Sequence, residues 1–172
     1  PVTVKHRIGI DKLESYGFVR DFVGTVHQRG SCEVFIVHAR NAWLKGLSPK
    51  QNREVPPLRY EMAYRLKADF PALTVVINGG VTHGEQIEQH LQHVDGVMVG
   101  RHAYHEPWSM AGWDRRFFDA AAPQPGRDAV EEAMLRYIES LQAAGTPWPH
   151  ASRHMLGLHH GGSTGRAVPS GV

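Results

Sequence analysis

Four places in the sequence gather cationic, amide and glycine residues in a pattern suited to holding an anion. They are Lys5 with His6 and Arg7, His38 with Arg40, Asn78-Gly79-Gly80, and Gly100-Arg101. Paired glycines let backbone N–H groups approach an anion closely, and a helix starting near 82–85 would add donors and a favourable dipole. Gly100 permits the same approach, and Arg101 beside it adds a permanent charge. Two successive glycine turns of this kind suit a phosphate group. A lysine that ends a buried strand, as Lys5 is expected to do, is costly unless it meets an anion or an electron-rich ring. His38 and Arg40 lie two positions apart, face the same way in an extended chain, and suit an anion or a polar ring.

These residues need a scaffold that delivers them to one rim. Near-continuous apolar runs over 1–5, 33–38, 73–78 and 96–100 read as parallel strands buried on both faces. Helical periodicity falls between them, over 18–28, 60–70 and 85–92, and again over 108–118. Strand alternating with helix predicts an α/β fold with right-handed crossovers, and in such folds the active site lies at the carboxyl ends of the strands. All four polar groups fall at those ends. Residues 120–126 read as a linker, 127–144 as an amphipathic helix with Val130, Met134, Tyr137, Ile138 and Leu141 on one face, and 150–158 as a second helical piece. The Gly/Ser-rich stretch 161–172 is expected to be flexible.

Composition removes several function classes. The chain has 172 residues, a net charge of +2 and 41% hydrophobic residues, which excludes a disordered chain or a collagen-like repeat. No apolar run approaches the roughly 18 residues of a membrane span. One cysteine, Cys32, allows no internal disulfide and suits a reducing, cytoplasmic setting. It precedes a strand, at the rim opposite the polar ends, and reads as a small buried residue rather than a nucleophile. Of the twelve histidines, those at 150, 154, 159 and 160 lack accompanying carboxylate or cysteine ligands, so no metal site is expected. A start on Pro1, directly in a strand-like run, reads as a piece of a longer protein.

One connection is long. Residues 39–59 lack periodicity, and loops of this length in a compact domain are usually functional; Trp43, Leu44 and Leu47 argue against disorder. Within it, together with the strand ends, the sequence becomes recognisable. Residues 2–11 (VTVKHRIGID), 35–58 (FIVHARNAWLKGLSPKQNREVPPL), 77–80 (INGG) and 95–104 (DGVMVGRHAY) closely resemble the tRNA-dihydrouridine synthases. The long loop and 153–158 (RHMLGL) point to the A subfamily, which acts at positions 20 and 20a. The resemblance covers residues 1 to 160 and is most specific in the loop.

The resemblance implies the second half of a (β/α)8 TIM barrel, four βα units over 1–119, followed by a linker and a truncated helical tRNA-binding domain over 127–160. It implies FMN as cofactor, NADPH as reductant and hydride transfer to C6 of a uracil, with a cysteine acid protonating C5. Carried over by motif, Lys5 and His38 would contact the flavin, and Asn78, Gly79, Gly80, Gly100 and Arg101 would hold its phosphate. Arg40, Ser48, Lys50, Gln51, Asn52, Arg53, Arg153 and His154 would face tRNA, with Asn52 or Gln51 reading a base edge. The acid cysteine belongs to the family's first half-barrel, so no catalytic residue is expected in this chain, and alone it is expected to be inactive. A monomer without membrane or metal partners is expected for the full-length enzyme. The alternatives are another FMN barrel acting on a free pyrimidine or enone, and a non-catalytic RNA-binding derivative.

Overall fold

Alternate residues of the apolar runs meet different surroundings, and this alternation organises the sheet. The computed structural model describes residues 2–160. Strands β1 (Thr3–Arg7), β2 (Val34–His38), β3 (Thr74–Asn78) and β4 (Gly96–Met98) pair in parallel in the order β1-β2-β3-β4. Helices α1 (Tyr16–Gly30), α2 (Tyr60–Asp69) and α3 (Gly84–Leu91) return the chain between them. This is the α/β architecture of half a (β/α)8 barrel. Phe35, Val37, Val75 and Ile77 point to the helices and are buried with Val19, Val23, Met62 and Leu66. Each such side chain contributes about 1.5–3 kcal/mol. Ile36 and Val76, on the other face, are only half-buried. The continuous apolar runs suggest two covered faces, whereas among the described residues helices cover one. In a closed barrel the other face would be filled by side chains from further strands.

Local signals set the helix ends. The Ser15 hydroxyl accepts the Phe18 N–H at 3.2 Å to start α1, and Ser31, in the left-handed region, closes it by donating to the His27 carbonyl. Phe70 ends α2 just before Pro71. Strand β1 departs from expectation by running on to Arg7, so Lys5 lies two residues inside the strand rather than at its end. The polar extension persists because His6 packs on Phe22 and Phe35 and because Arg7 finds carbonyl acceptors in the loop beyond β2. Cys32 is buried before β2, its Sγ lying 3.6 and 3.4 Å from the carbonyls of Val2 and Val34.

The described residues divide into two compact units, one up to Gly100 and one from Arg101 onward. In the second unit, α4 (Arg101–His105) is a short helix that periodicity does not reveal. The single helix expected over 108–118 is instead a 3-10 turn at Pro107–Met110 and α5 (Trp113–Phe117), interrupted at Gly112. Helix α6 (Arg127–Ala143) presents Val130, Met134, Ile138 and Leu141 half-buried, while Tyr137 is exposed, outside the face assigned to it. The Arg127 guanidinium stacks over Trp108 at 4.7 Å. The last piece is α7 (Pro149–Ser152) continued by a 3-10 turn at Arg153–Met155. The stretch 161–172 lies outside the described residues.

A polar stitch fastens the sheet's entry side. Asp95 pairs with Lys67 of α2 at 2.8 Å and accepts the Val75 N–H of β3 at 2.8 Å, while Lys67 also donates to the carbonyls of Pro71 and Leu73. Burial pushes the Asp95 carboxyl up, but Lys67 and the Val75 N–H outweigh it and hold the group below the usual carboxylate range. A depressed carboxylate stabilises the fold above its unfolded pKa, and that contribution disappears as pH falls through the lower folded value. Thermal melting is expected to lose stability below about pH 4, and Asp95→Asn to flatten that part of the profile while lowering Tm at neutral pH.

Candidate functional site

Parallel register aligns the polar strand ends in one row. Arg7 is paired with His38, His38 with Asn78, and Asn78 with Met98. Two residues earlier, on the same face, Lys5 is aligned with Ile36 and Val76. Asn78 reaches across to β4, its Nδ2 donating to the Met98 carbonyl at 2.7 Å. Cations crowd this rim. Burial lowers the Lys5 ammonium and the nearby Arg7 charge lowers it further. Burial also lowers the Arg7 guanidinium, with Arg40 and Arg53 adding to the shift. Such a cluster is best relieved by an anion.

The turn after β3 requires glycine. Gly79 and Gly80 have φ of +120° and +71°, in the region where a side chain is strained. A Cβ on Gly79 would meet the His38 ring at 2.9 Å, and one on Gly80 would meet Leu58 Cδ1 at 2.6 Å. The His38 ring therefore lies directly against the turn. Tyr60 Oη donates to the Gly79 carbonyl at 2.7 Å and fixes the turn from the helix side. The helix that follows contributes less than its position suggests. The N–H groups of Thr82 and His83 are both taken by Gln86 Oε1, at 2.8 and 3.1 Å, so these donors at the start of α3 are capped internally. Gly100 has open space around a notional Cβ and no left-handed backbone. Its neighbour Arg101 begins α4 in the second unit.

Polar bonds join apolar packing in ordering the long loop, where Leu44 is 68% exposed, Trp43 and Leu47 are half-buried and Pro56 is buried. Arg7 Nη1 donates to the carbonyls of Asn41 and Asn52, both at 2.7 Å. Asn52 Oδ1 accepts the Trp43 N–H at 3.0 Å, and its Nδ2 donates to the Trp43 carbonyl. Asn41, 2% exposed, donates to the Asp11 carbonyl at 2.6 Å. Arg40 Nη1 donates to the carbonyls of Glu54 and Pro56. Ser48 and Gln51 engage each other across the 3-10 turn Gln51–Arg53, the Gln51 side chain accepting the Ser48 N–H at 2.9 Å. The Asn52 amide is thus hydrogen-bonded within the loop, and Arg40, beyond the end of β2, donates to loop carbonyls. Lys50 and Arg53 remain exposed.

In the second unit, Arg153 Nε donates to the Pro149 carbonyl at 2.7 Å, and His154 Nδ1 is hydrogen-bonded to Tyr104 Oη at 3.0 Å. Both residues are exposed. Among the described residues no group of three or more His, Cys, Asp or Glu side chains could hold a metal ion, and no helix is long and apolar enough to cross a membrane. Sequence reasoning put Arg7 in the anion row but missed its part, and those of Asn41 and Tyr60, in organising the site. The period-2 alternation placing Arg7 on the Lys5 face was the available signal for the first. For the other two no local pattern exists.

The role of Arg7 is directly measurable. A charged donor lost from two carbonyls costs roughly 2–3 kcal/mol, so Arg7→Ala is expected to speed amide exchange over 41–53 by a factor of roughly 30 to 160. Lys50→Ala is expected to leave that exchange unchanged.

Comparison with known proteins adds a second line of argument. The family model described as dihydrouridine synthase (Dus) matches residues 1–168. Curated relatives named tRNA-dihydrouridine(20/20a) synthase are 54% identical over 161 residues in Yersinia pestis and 55% identical over 161 residues in Escherichia coli K12, in each case 94% of this chain and 47% of the relative. One from Vibrio parahaemolyticus is 54% identical over 158 residues, 92% of this chain and 48% of its own. The chain thus spans about half the length of the curated relatives it matches. With strand-end motifs, parallel half-barrel and family model in agreement over almost its whole length, this chain belongs to the dihydrouridine synthase family.

Proposed function

We propose that the protein takes part in reducing uridine to 5,6-dihydrouridine in the D-loop of tRNA, with FMN as its cofactor and NADPH as the reductant. The carrying observation is the parallel register that sets Lys5, Arg7 and His38 on one face beside the Gly79–Gly80 turn at the carboxyl ends of the strands. The donor set fits a flavin mononucleotide. The backbone around Gly79 and Gly80 suits its phosphate, and Lys5 and His38 suit the polar edge of the ring. Bound there, FMN would supply a hydride to C6 of the uracil. Lys5 would place positive charge beside its ring, favouring a more electron-rich form in a partly dry site. Cys32 does not supply the proton for C5, because its buried thiol lies at the opposite, amino-terminal end of β2. In this reading the proton comes from the cysteine that the resemblance places in the other half-barrel.

The loop carries both the RNA contacts and the residues that shape it. Lys50 and Arg53 bind phosphate, while Arg7, Arg40 and Asn52 keep the loop in shape to do so. Ser48 and Gln51 set the turn between them. Arg153 and His154 offer a further backbone contact, and Gly100 leads into Arg101. A uridine must leave its stack to reach a flavin, so a rigid loop at the mouth helps hold it out. The protein is read as cytoplasmic and monomeric.

With the protein as its gene encodes it, dihydrouridine is expected from a tRNA transcript and not from free uridine, detected by its two-hydrogen mass gain. Product from free uridine alone would favour a pyrimidine or enone reductase. Lys5→Met is expected to slow turnover roughly ten- to a hundredfold with tRNA affinity unchanged. Lys50→Ala with Arg53→Ala is expected to weaken tRNA binding and to reduce its salt slope by about 1–2, read by titration at several ionic strengths.

A further inference from the structure

The turn proposed to hold phosphate is fastened by a residue that the activity does not otherwise use. Tyr60 opens α2 at the far end of the long loop, and its hydroxyl donates to the Gly79 carbonyl at 2.7 Å. It also lies 3.1 Å from the point where a Gly80 Cβ would sit. The Gly79 carbonyl belongs to the same peptide plane as the Gly80 N–H. A peptide is planar, so holding the oxygen on the tyrosine side aims that N–H the opposite way, away from the helix layer. With φ positive at both glycines, the chain has few steric restraints of its own here. An external hydrogen bond is what selects one orientation of this plane.

Tyr60 is itself braced. Its ring meets the buried His90 ring edge-on, with centroids 4.5 Å apart, and His90 Nδ1 is hydrogen-bonded to Tyr64 Oη at 2.7 Å. Burial, with His93 nearby, keeps His90 below the usual imidazole range. Burial also raises the Tyr60 hydroxyl, so it stays a donor through neutral pH, although the Arg40 charge opposes this.

We propose that Tyr60 is a positioning residue for phosphate, orienting the Gly79–Gly80 peptide so that its N–H is ready for an anion before one binds. This rests on the reading of that turn as the flavin phosphate site. Preorganisation of this kind acts on the phosphate and not on the ring, which separates it from a merely structural role.

The experiment compares FMN with riboflavin, which lacks the phosphate, by equilibrium fluorescence titration of the protein as its gene encodes it. Tyr60→Phe keeps the ring against His90 and removes only the hydroxyl. It is expected to weaken FMN binding about tenfold and leave riboflavin binding unchanged. Tyr64→Phe breaks the hydrogen bond to His90 without touching the turn, and is expected to preserve the FMN-to-riboflavin ratio. A variant that is partly unfolded loses affinity for both flavins equally, so the ratio still reports on the turn. If the unmodified protein prefers FMN and Tyr60→Phe keeps that full preference, the tyrosine proposal is overturned while the phosphate reading stands. If the unmodified protein does not prefer FMN to riboflavin, the phosphate reading fails and the proposal falls with it.

Discussion

In-register parallel pairing of β1, β2 and β3 is the constraint on which the rest of this structure depends. It sets Arg7 opposite His38 and His38 opposite Asn78, so that three residues far apart in sequence end their strands at one level. A slip of one residue would exchange this polar row with His6, Val37 and Ile77, which belong to the helix-facing side. The buried face prevents that slip. Phe35, Val37, Val75 and Ile77 are fully covered by helices, and turning them outward would forfeit most of the core.

The row concentrates positive charge, and the way this charge is accommodated explains the long loop. Arg7 and Arg40 do not simply project into solvent. Their guanidinium groups are engaged by main-chain carbonyls of residues 41–56, which carry partial negative charge without adding an acid that would compete with an anionic ligand. The loop gains its shape from the same bonds. Burial and mutual repulsion still leave Lys5 and Arg7 below their ordinary pKa values, a cost that an anion would relieve. Scaffold and proposed ligand site therefore share the same cations.

Much of this was legible in the sequence. Apolar runs identified all four strands, helical spacing identified α1, α2, α3 and α6, and the strand-end residues picked out the Gly79-Gly80 turn before any geometry was known. What escaped notice depended on contacts between distant residues. The extension of β1 to Arg7 relies on carbonyl acceptors some forty residues on, and nothing local in His6-Arg7 announces them. Asn52 closes its amide on Trp43, another contact that no local pattern announces. Helix α4 is too short to show a period, and Gly112 divides the next helical stretch although its spacing reads as continuous. The donors at the start of α3 seemed free because the capping role of Gln86 involves residues whose spacing was read only for helix content.

Membership of the dihydrouridine synthase family and the local geometry converge on one small region, the glycine turn with the cation row beside it. The proposed function requires that this turn receive the phosphate of FMN. A crystal structure of the protein as its gene encodes it, grown with FMN, is the sharpest check. The phosphate is expected within hydrogen-bonding distance of the main-chain N–H groups around Gly79 and Gly80, with the flavin ring extending toward His38 and Lys5. A flavin bound with its phosphate elsewhere, and the turn left to solvent, would contradict it.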